Sequence, residues 1–328
     1  MARHAGLVNI CGVAIQNYLL PLEDRMLKLA RWQSFSPSIM EDVLGYNTFQ
    51  RMVKSLKEQK DAVDCLRSCF LGNFDEFVSA GFGQEPLAQY LAAVGVLAPH
   101  RKSSKFKMIS PIVDSLVRRH VIPALYPAAP STPIPMHNSK LDIQGILKEA
   151  LRFFDQQTIK RATQYSFKTA KVKVGGVNGV AVPRESVYDS ELIRILAIWL
   201  HQGYCTVTGQ WHHLGGNNHR YSDIVVETKS SRIVLELLAT GELDFIEEHV
   251  KRTSRYKSSL SAEEAWVIHF TREDNYLEDP YWQSDELLNK NIYLAHIWHN
   301  QDFTEVRMRA KWKSWDSENR LTSNERII

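Results

Sequence analysis

Cysteine is scarce, with four residues in a chain of 328, and the four form neither CxxC pairs nor a dense disulfide pattern. This excludes a disulfide-stabilised scaffold and predicts free thiols in a reducing compartment. No apolar run reaches membrane-spanning length, and the N-terminal apolar stretch is interrupted by Asn9, Gln16 and Asn17. No small-residue cleavage site follows that stretch. We therefore expect a soluble, intracellular chain with no signal peptide and no membrane partner.

The sequence also lacks a strong charge bias, since its net charge is +3 and its pI about 8.5. Such a balance allows a nucleic-acid partner without predicting one, because binding depends on how charges cluster. The apolar fraction of 44% and charged fraction of 23% are those of an ordinary globular protein. The length favours two domains.

Prolines concentrate in one segment, "YPAAPSTPIPMHNS", residues 126–139. Because proline ends helices and central strands, we place a linker at residues 127–139. It separates an N-terminal domain, residues 1–126, from a C-terminal domain, residues 140–312. A polar tail is expected over residues 313–328.

The N-terminal domain is predicted to be helical, with a short basic strand in "HRKSSKFKMIS" before a helix that starts at Pro111. This order fits a winged-helix-like module, and a small helical bundle fits equally well. The basic segment predicts phosphate contacts that position nucleic acid, with a solvated face as the alternative. Its basic residues are Arg101, Lys102, Lys105 and Lys107.

The C-terminal domain has a different pattern. A helix with apolar residues at Leu192, Ile195, Leu196 and Trp199 precedes three strand-like runs, a further helix and a further strand. The runs are separated by short turn segments, as in a meander. We predict an α+β fold in which helices cover a mixed sheet.

Two carboxylates occupy apolar strands of this meander, Asp223 in "SDIVVE" and Glu236 in "RIVLELLAT". If these strands pair through their short turn, both side chains can lie on one face. Two buried carboxylates at that separation would not both stay ionised without a cation. Mg²⁺, or Mn²⁺ in its place, takes one or two carboxylates and completes its shell with water and phosphate oxygens.

A third carboxylate is expected from Glu191, at the edge of the helix's apolar stripe. Asp189 is the alternative to Glu191 for this role and is expected to lie nearer the solvent. The alternative to a metal site is that the strand carboxylates pair with Arg232 or Lys229.

The order of Glu191, "RYSDIVV", "VLELLAT", "EEHVKR" and "WVIHF" resembles the PD-(D/E)XK restriction-endonuclease-like fold. The same motifs resemble the nuclease-like C-terminal domains of fungal Crinkler-type effector proteins, over roughly residues 140–310. Residues 1–125 are similar to the lid and winged-helix remnant that follows an AAA-type ATPase module in those proteins. No GxxxxGK[ST] motif occurs, so we expect no ATP hydrolysis.

By this resemblance, Asp223, Glu236 and Glu191 match the acidic residues of the nuclease site. The chain departs from the pattern two residues after Glu236, where Leu238 replaces the usual lysine. A basic group must then come from elsewhere, or the domain binds without cutting.

The helix after the strand offers basic candidates. His249 is expected on its sheet-facing side, as a proton donor or phosphate contact, or as an ordinary core histidine. Lys251 and Arg252 could reach a phosphate. Further candidate nucleic-acid contacts are Arg220 and the lysines of "FKTAKVK", Lys168, Lys171 and Lys173. His212, His213 and His219 lack zinc spacing and are expected at a hairpin tip.

The leading hypothesis is a Mg²⁺-dependent endonuclease acting on DNA, with RNA as an alternative substrate. The second hypothesis is a catalytically inactive nuclease fold that binds DNA or a host protein. The third hypothesis is a plain interaction scaffold. The resemblance implies an effector acting in a host nucleus and allows a homodimer.

Overall fold

The computed structural model describes residues 9, 12–19, 43–74, 76–213, 220–313 and 319–328, without the side chains of residues 18–19, 210–213, 220–222 and 319. The chain divides into two compact units. Unit 1 comprises residues 1–126 with 210–221, and unit 2 comprises residues 127–209 with 222–328. The boundary after Tyr126 falls at the start of the proline-rich segment. None of the described helices is both long and apolar enough to cross a bilayer.

Unit 1 combines short helices with a three-stranded antiparallel sheet, in which β3 (Lys105–Met108) lies between β1 (Val78–Ser79) and β2 (Leu97–Pro99). Ser110 caps the helix at Pro111, as its Oγ accepts a hydrogen bond from the Val113 N–H at 3.2 Å. The helices are α1 (Asn47–Glu58), α2 (Lys60–Cys69), α3 (Glu85–Ala93), α4 (Pro111–Leu116) and α5 (Ile122–Leu125), with π-helical turns at Ile15–Leu19 and Val117–Val121. The winged-helix interpretation of this unit stays a prediction.

Unit 2 contains the large sheet and its covering helices. The helices are α6 (Ile143–Leu151), α7 (Gln156–Tyr165), α8 (Glu185–Trp199), α9 (Leu243–Ser259) and α10 (Asp285–Asn289), with a 3-10 turn at Leu200–Gly203. Two short hairpins pair β4 (Met136–His137) with β5 (Lys140–Leu141), and β6 (Phe167–Thr169) with β7 (Ala181–Pro183). The strands of the large sheet are β8 (Thr206–His213), β9 (Arg220–Glu227), β10 (Arg232–Leu238), β11 (Glu264–Thr271), β12 (Ile292–His299), β13 (Val306–Lys313), β14 (Asn319–Leu321) and β15 (Glu325–Arg326).

The large sheet is mixed. Its order is β14-β13-β12-β11-β10-β9-β8, with β15 also pairing with β13. Strands β9 and β10 are antiparallel, whereas β10, β11 and β12 run parallel, with α9 crossing over from β10 to β11. The predicted α+β class is confirmed, and the helix, three strands, helix and strand occur in the predicted order as α8, β8–β10, α9 and β11.

Helix α8 lies in the main core of unit 2. Every residue from Val187 to Leu196 is buried, so this helix has no broad solvent face. Its apolar side chains pack with α6 and with one face of the sheet, where Ile224, Leu235 and Ile268 belong to the same cluster. A helix buried on all sides places its polar side chains inside the protein, where each needs a partner.

Two segments predicted to be irregular are fixed to unit 2. The proline-rich linker accepts hydrogen bonds from α8, since Trp199 Nε1 donates to the Thr132 carbonyl at 2.9 Å and Arg194 Nη1 to the Ala128 carbonyl at 2.6 Å. Within the segment predicted to be a polar tail, residues 319–321 and 325–326 form β14 and β15, which pair with β13. Polar composition did not reveal these strands because an edge strand needs few apolar residues.

Candidate active site

Asp223 and Glu236 lie at the point where β9 and β10 stop pairing through their backbones. The last backbone-paired residues are Ile224 and Leu235. One residue beyond this last pair, the interaction between the strands involves a side chain. The Asp223 carboxylate accepts a hydrogen bond from the Leu237 N–H at 2.7 Å. Asp223 is half-buried and Glu236 is 0% exposed. The strands therefore bring the two predicted carboxylates together beside the C-terminal end of β10.

The two carboxylates are electrostatically coupled. Burial first, and then the negative charge of Glu236, raises the pKa of Asp223 well above its ordinary value. Burial also raises the pKa of Glu236, to about 7, although the neighbouring Arg252 guanidinium acts in the opposite direction. Raised pKa values on two neighbouring carboxylates mean that the positive charge around them does not offset their burial and mutual repulsion.

Helix α9 contributes Arg252 and His249 to this site. Arg252 Nη2 donates one hydrogen bond to Glu236 Oε1 and lies 2.9 Å from His249 Nδ1. The two partners considered from the sequence, Arg232 and Lys229, are not the ones found, since Arg232 pairs with Glu227. The second oxygen of Glu236, Oε2, is buried and has no hydrogen-bond partner among the described residues. Such an orphaned carboxylate oxygen costs free energy unless a ligand occupies it.

His249 does not fit the role of proton donor. Burial, reinforced by the charges of Arg252 and Lys168, lowers its pKa to about 3. The imidazole is therefore neutral near pH 7, and its ring packs edge-on against Phe245 at 4.5 Å. Its Nδ1 is placed to accept the hydrogen bond from Arg252, so His249 orients the arginine.

Lys251 is not part of the site. Its side chain is 73% exposed and lies 3.8 Å from Glu247 Oε2, four residues earlier on α9. Adjacent helical positions point about 100° apart, so the residue next to an inward-facing Arg252 faces solvent.

Glu191 is also placed elsewhere, which corrects the expectation that it is the helical acid. It is 0% exposed, and its Oε2 accepts from Arg194 Nη2 and from the Asp155 N–H, both at 2.9 Å. Positions 189 and 191 point to nearly opposite sides of a helix. Of the two, it is Asp189 whose negative charge raises the pKa of Asp223, and Asp189 is buried rather than solvent-facing.

Glu185 is an acidic residue that sequence reasoning missed. It lies one turn before Asp189 on α8, so both face the same side. Burial raises the pKa of Glu185, while Lys168, Arg252 and the Ala239 backbone act in the opposite direction. The four-residue spacing between Glu185 and Asp189 is the sequence pattern that could have predicted two acidic side chains on one side of this helix.

Lys168, on β6, is the second basic residue of the site. Its Nζ lies 4.0 Å from Glu185 Oε1, 3.5 Å from the Ala239 carbonyl and 5.0 Å from the centre of the Phe245 ring. Burial lowers its pKa, against the opposing charge of Glu185. In contrast, Lys171 on the same segment is 77% exposed and lies near Glu242.

The donor chemistry suits a hard divalent cation bound by two carboxylates. Mg²⁺ binds through one or two carboxylates plus waters and phosphate oxygens, which matches Asp223 and the orphaned Oε2 of Glu236. Among the residues that the structure describes, no group of three or more His, Cys, Asp or Glu side chains is arranged to hold a metal ion. The residues therefore fit a two-carboxylate site and not a closed all-protein cage.

Four of the other predicted nucleic-acid contacts belong to unit 1. Arg101, Lys102 and Lys105 are exposed on unit 1, and Lys107 there lies over the Phe77 ring. The side chains of Arg220, His212 and His213, and all of His219, lie outside the described part of the structure.

No family model matches the chain, and no curated protein matches it. The resemblance to Crinkler-type effectors and to an AAA-type ATPase remnant therefore stays a prediction. Among solved structures, the chain matches that of Can2 from Sulfobacillus thermosulfidooxidans in complex with cyclic tetra-adenylate, at 10% sequence identity. The match covers 80% of this chain and 52% of the Can2 chain, so this chain spans about half the length of its neighbour. With a TM-score of 0.20, the likeness carries no inference about this chain.

Proposed function

We propose that unit 2 is a Mg²⁺-dependent phosphodiesterase of the restriction-endonuclease type that acts on DNA. The observation that carries this proposal is the convergence of Asp223 and Glu236, with Oε2 of Glu236 orphaned, beside Lys168 and Arg252. Carboxylates next to side chains that can contact a phosphate are what metal-assisted phosphodiester hydrolysis requires.

Asp223 and Glu236 would hold the cation. Bound there, Mg²⁺ supplies a water of lowered pKa and offsets negative charge on the phosphodiester. Asp189 and Glu185, on α8, add negative charge that favours a cation at this point.

Lys168 takes the place of the lysine that the PD-(D/E)XK pattern puts at position 238. The Lys168 ammonium, whose pKa burial lowers, can donate a hydrogen bond to the attacking water or to a phosphate oxygen. Arg252 supplies a planar guanidinium group, which can donate two parallel hydrogen bonds to phosphate oxygens. Water adds to phosphorus as one P–O ester bond breaks, and the leaving oxygen takes up a proton.

The second candidate is a catalytically inactive nuclease fold that binds DNA or a host protein. The observation that favours it is the hydrogen bond from Arg252 to Glu236, which occupies one of the two oxygens that a cation would use. Action as an effector in a host nucleus rests on the sequence resemblance alone.

The test is nicking of supercoiled plasmid by the full chain with Mg²⁺, compared with EDTA. We expect Asp223→Asn to abolish nicking, whereas the matched control Glu227→Gln, on the same strand but paired with Arg232, retains it. Equal nicking by the wild type and Asp223→Asn would refute the enzyme. If none of the three proteins nicks the plasmid, Mg²⁺ can still raise the Tm of the wild type and not that of Asp223→Asn. That result supports the inactive module.

A further inference from the structure

Phe82 is an unusually exposed aromatic side chain in unit 1. It is 100% exposed, the highest value among the large hydrophobic residues that the structure describes. Burial of a phenylalanine side chain is strongly favourable in water, and folding of this unit leaves Phe82 fully exposed. A ligand that covers Phe82 would remove this apolar surface from water.

A glycine flanks Phe82 on each side. Gly81 and Gly83 have φ of +79° and +77°, in the left-handed region that other residues rarely adopt. A Cβ at Gly83 would meet nothing within 4 Å, so the glycine serves the backbone conformation and not a packing need. On the other side, Ala80 is buried and anchors the chain before the loop. The Gly81–Gly83 loop thus follows a buried residue and presents its aromatic ring to solvent.

The strand register places a basic turn at the same end of the small sheet. Ser79, the last residue of β1, pairs with Lys105, the first residue of the antiparallel strand β3. The turn at residues 100–104, between β2 and β3, therefore emerges where β1 ends. Phe82 follows Ser79 by three residues, within about 11 Å of extended chain.

The turn is closed by hydrogen bonds, and its charged side chains are all basic. The His100 N–H donates to the Lys105 carbonyl at 2.8 Å, and the Lys102 N–H donates to His100 Nδ1 at 3.3 Å. Arg101, Lys102 and Lys105 are all exposed, and no acidic residue occurs between Pro99 and Met108. The nearest acidic residue after the aromatic loop, Glu85, accepts a hydrogen bond from Gln89 Nε2 at 3.3 Å.

We infer that the Gly81–Gly83 loop and the basic turn form a binding site for single-stranded nucleic acid, in which an unpaired base stacks on Phe82. An aromatic platform beside a positively charged backbone track is the arrangement that binds single strands without base readout. A duplex would present phosphates to the basic turn, but its bases are already stacked and paired. This site lies in unit 1 and does not depend on the proposed nuclease activity of unit 2.

The test uses the full chain in EDTA, so that cutting cannot contribute, with a fluorescein-labelled oligothymidylate and a labelled duplex of the same length. We expect Phe82→Ser to weaken oligothymidylate binding roughly 5- to 150-fold, the equivalent of one stacked base. The dependence of affinity on salt should not change. Phe82→Trp should retain the affinity, since indole stacks at least as well.

Lys102→Gln separates the charge contribution from stacking. It should weaken binding and reduce the slope of log K against log salt by about 0.7, the value for one phosphate contact with a single strand. The control is Tyr204→Asn, which removes an 83% exposed aromatic from unit 2 at φ +58° and should leave the affinity unchanged. Unchanged oligothymidylate binding by Phe82→Ser, or an equal loss on the duplex, overturns the inference.

Discussion

Replacing Glu236 with glutamine tests whether this carboxylate is held at a cost in stability. The side chain is 0% exposed, and its pKa rises from 4.5 to about 7 in the folded protein. The folded state therefore binds the carboxyl proton more tightly than the unfolded chain does. Stability falls as pH rises from 4.5 towards 7, and the full cost is present above pH 7.

The magnitude follows from the size of the shift. At 1.36 kcal/mol for each pKa unit, a rise from 4.5 to about 7 corresponds to about 3 kcal/mol. Glutamine has the same shape, cannot ionise, and keeps a carbonyl oxygen that can accept from Arg252. The Arg252 side chain is 29% exposed, so its charge stays partly hydrated in the variant. We expect the free energy of unfolding of Glu236→Gln to exceed that of the wild type by about 1–3 kcal/mol at about pH 8. At about pH 5 the two free energies of unfolding should be nearly equal.

Urea unfolding measures this difference through the fluorescence of Trp199 and Trp266, both buried in unit 2. Glu227→Gln, on the neighbouring strand, is the control and should show no such pH dependence. Added Mg²⁺ should stabilise the wild type but not Glu236→Gln. If Glu236→Gln is instead several kcal/mol less stable at about pH 8, the Glu236–Arg252 pair is a stabilising structural ion pair and the reasoning fails.

Two further substitutions separate the candidate site from the core. Lys168→Met should lower the nicking rate while the Mg²⁺-induced rise in Tm persists, and Lys171→Met is its exposed control in the same assay; equal rates for the two would remove Lys168 from the site. Glu191→Gln should lower the free energy of urea unfolding by about 3 kcal/mol, because Arg194 stays buried beside a neutral partner. Its Mg²⁺-induced rise in Tm should match that of the wild type, and loss of that rise would return Glu191 to the metal site.

The order of elements in unit 2 could be predicted because it depends on local patterns. Short continuous apolar runs mark β9 and β10, apolar residues recur every three to four residues along α8, and these patterns are properties of each segment alone. A charged residue inside such a segment is conspicuous for the same reason. Asp223 and Glu236 were therefore identified, together with their approach through a short turn.

The rotation of a buried helix could not be predicted in the same way. Helix α8 is apolar on most sides, so its sequence does not indicate which acidic residue faces the sheet. Packing against the sheet and against α6 selects Asp189 and Glu185, and directs Glu191 towards Arg194.

The basic side of the site depends on contacts that are distant in sequence. Lys168 reaches Ala239 across 71 residues, and Arg252 reaches Glu236 across 16. No local period encodes such contacts, because they depend on where whole strands and helices pack. The sequence by itself determined the element order and the two strand carboxylates, since these follow from local spacing. Only the tertiary structure decided which cations and which helical acids surround them.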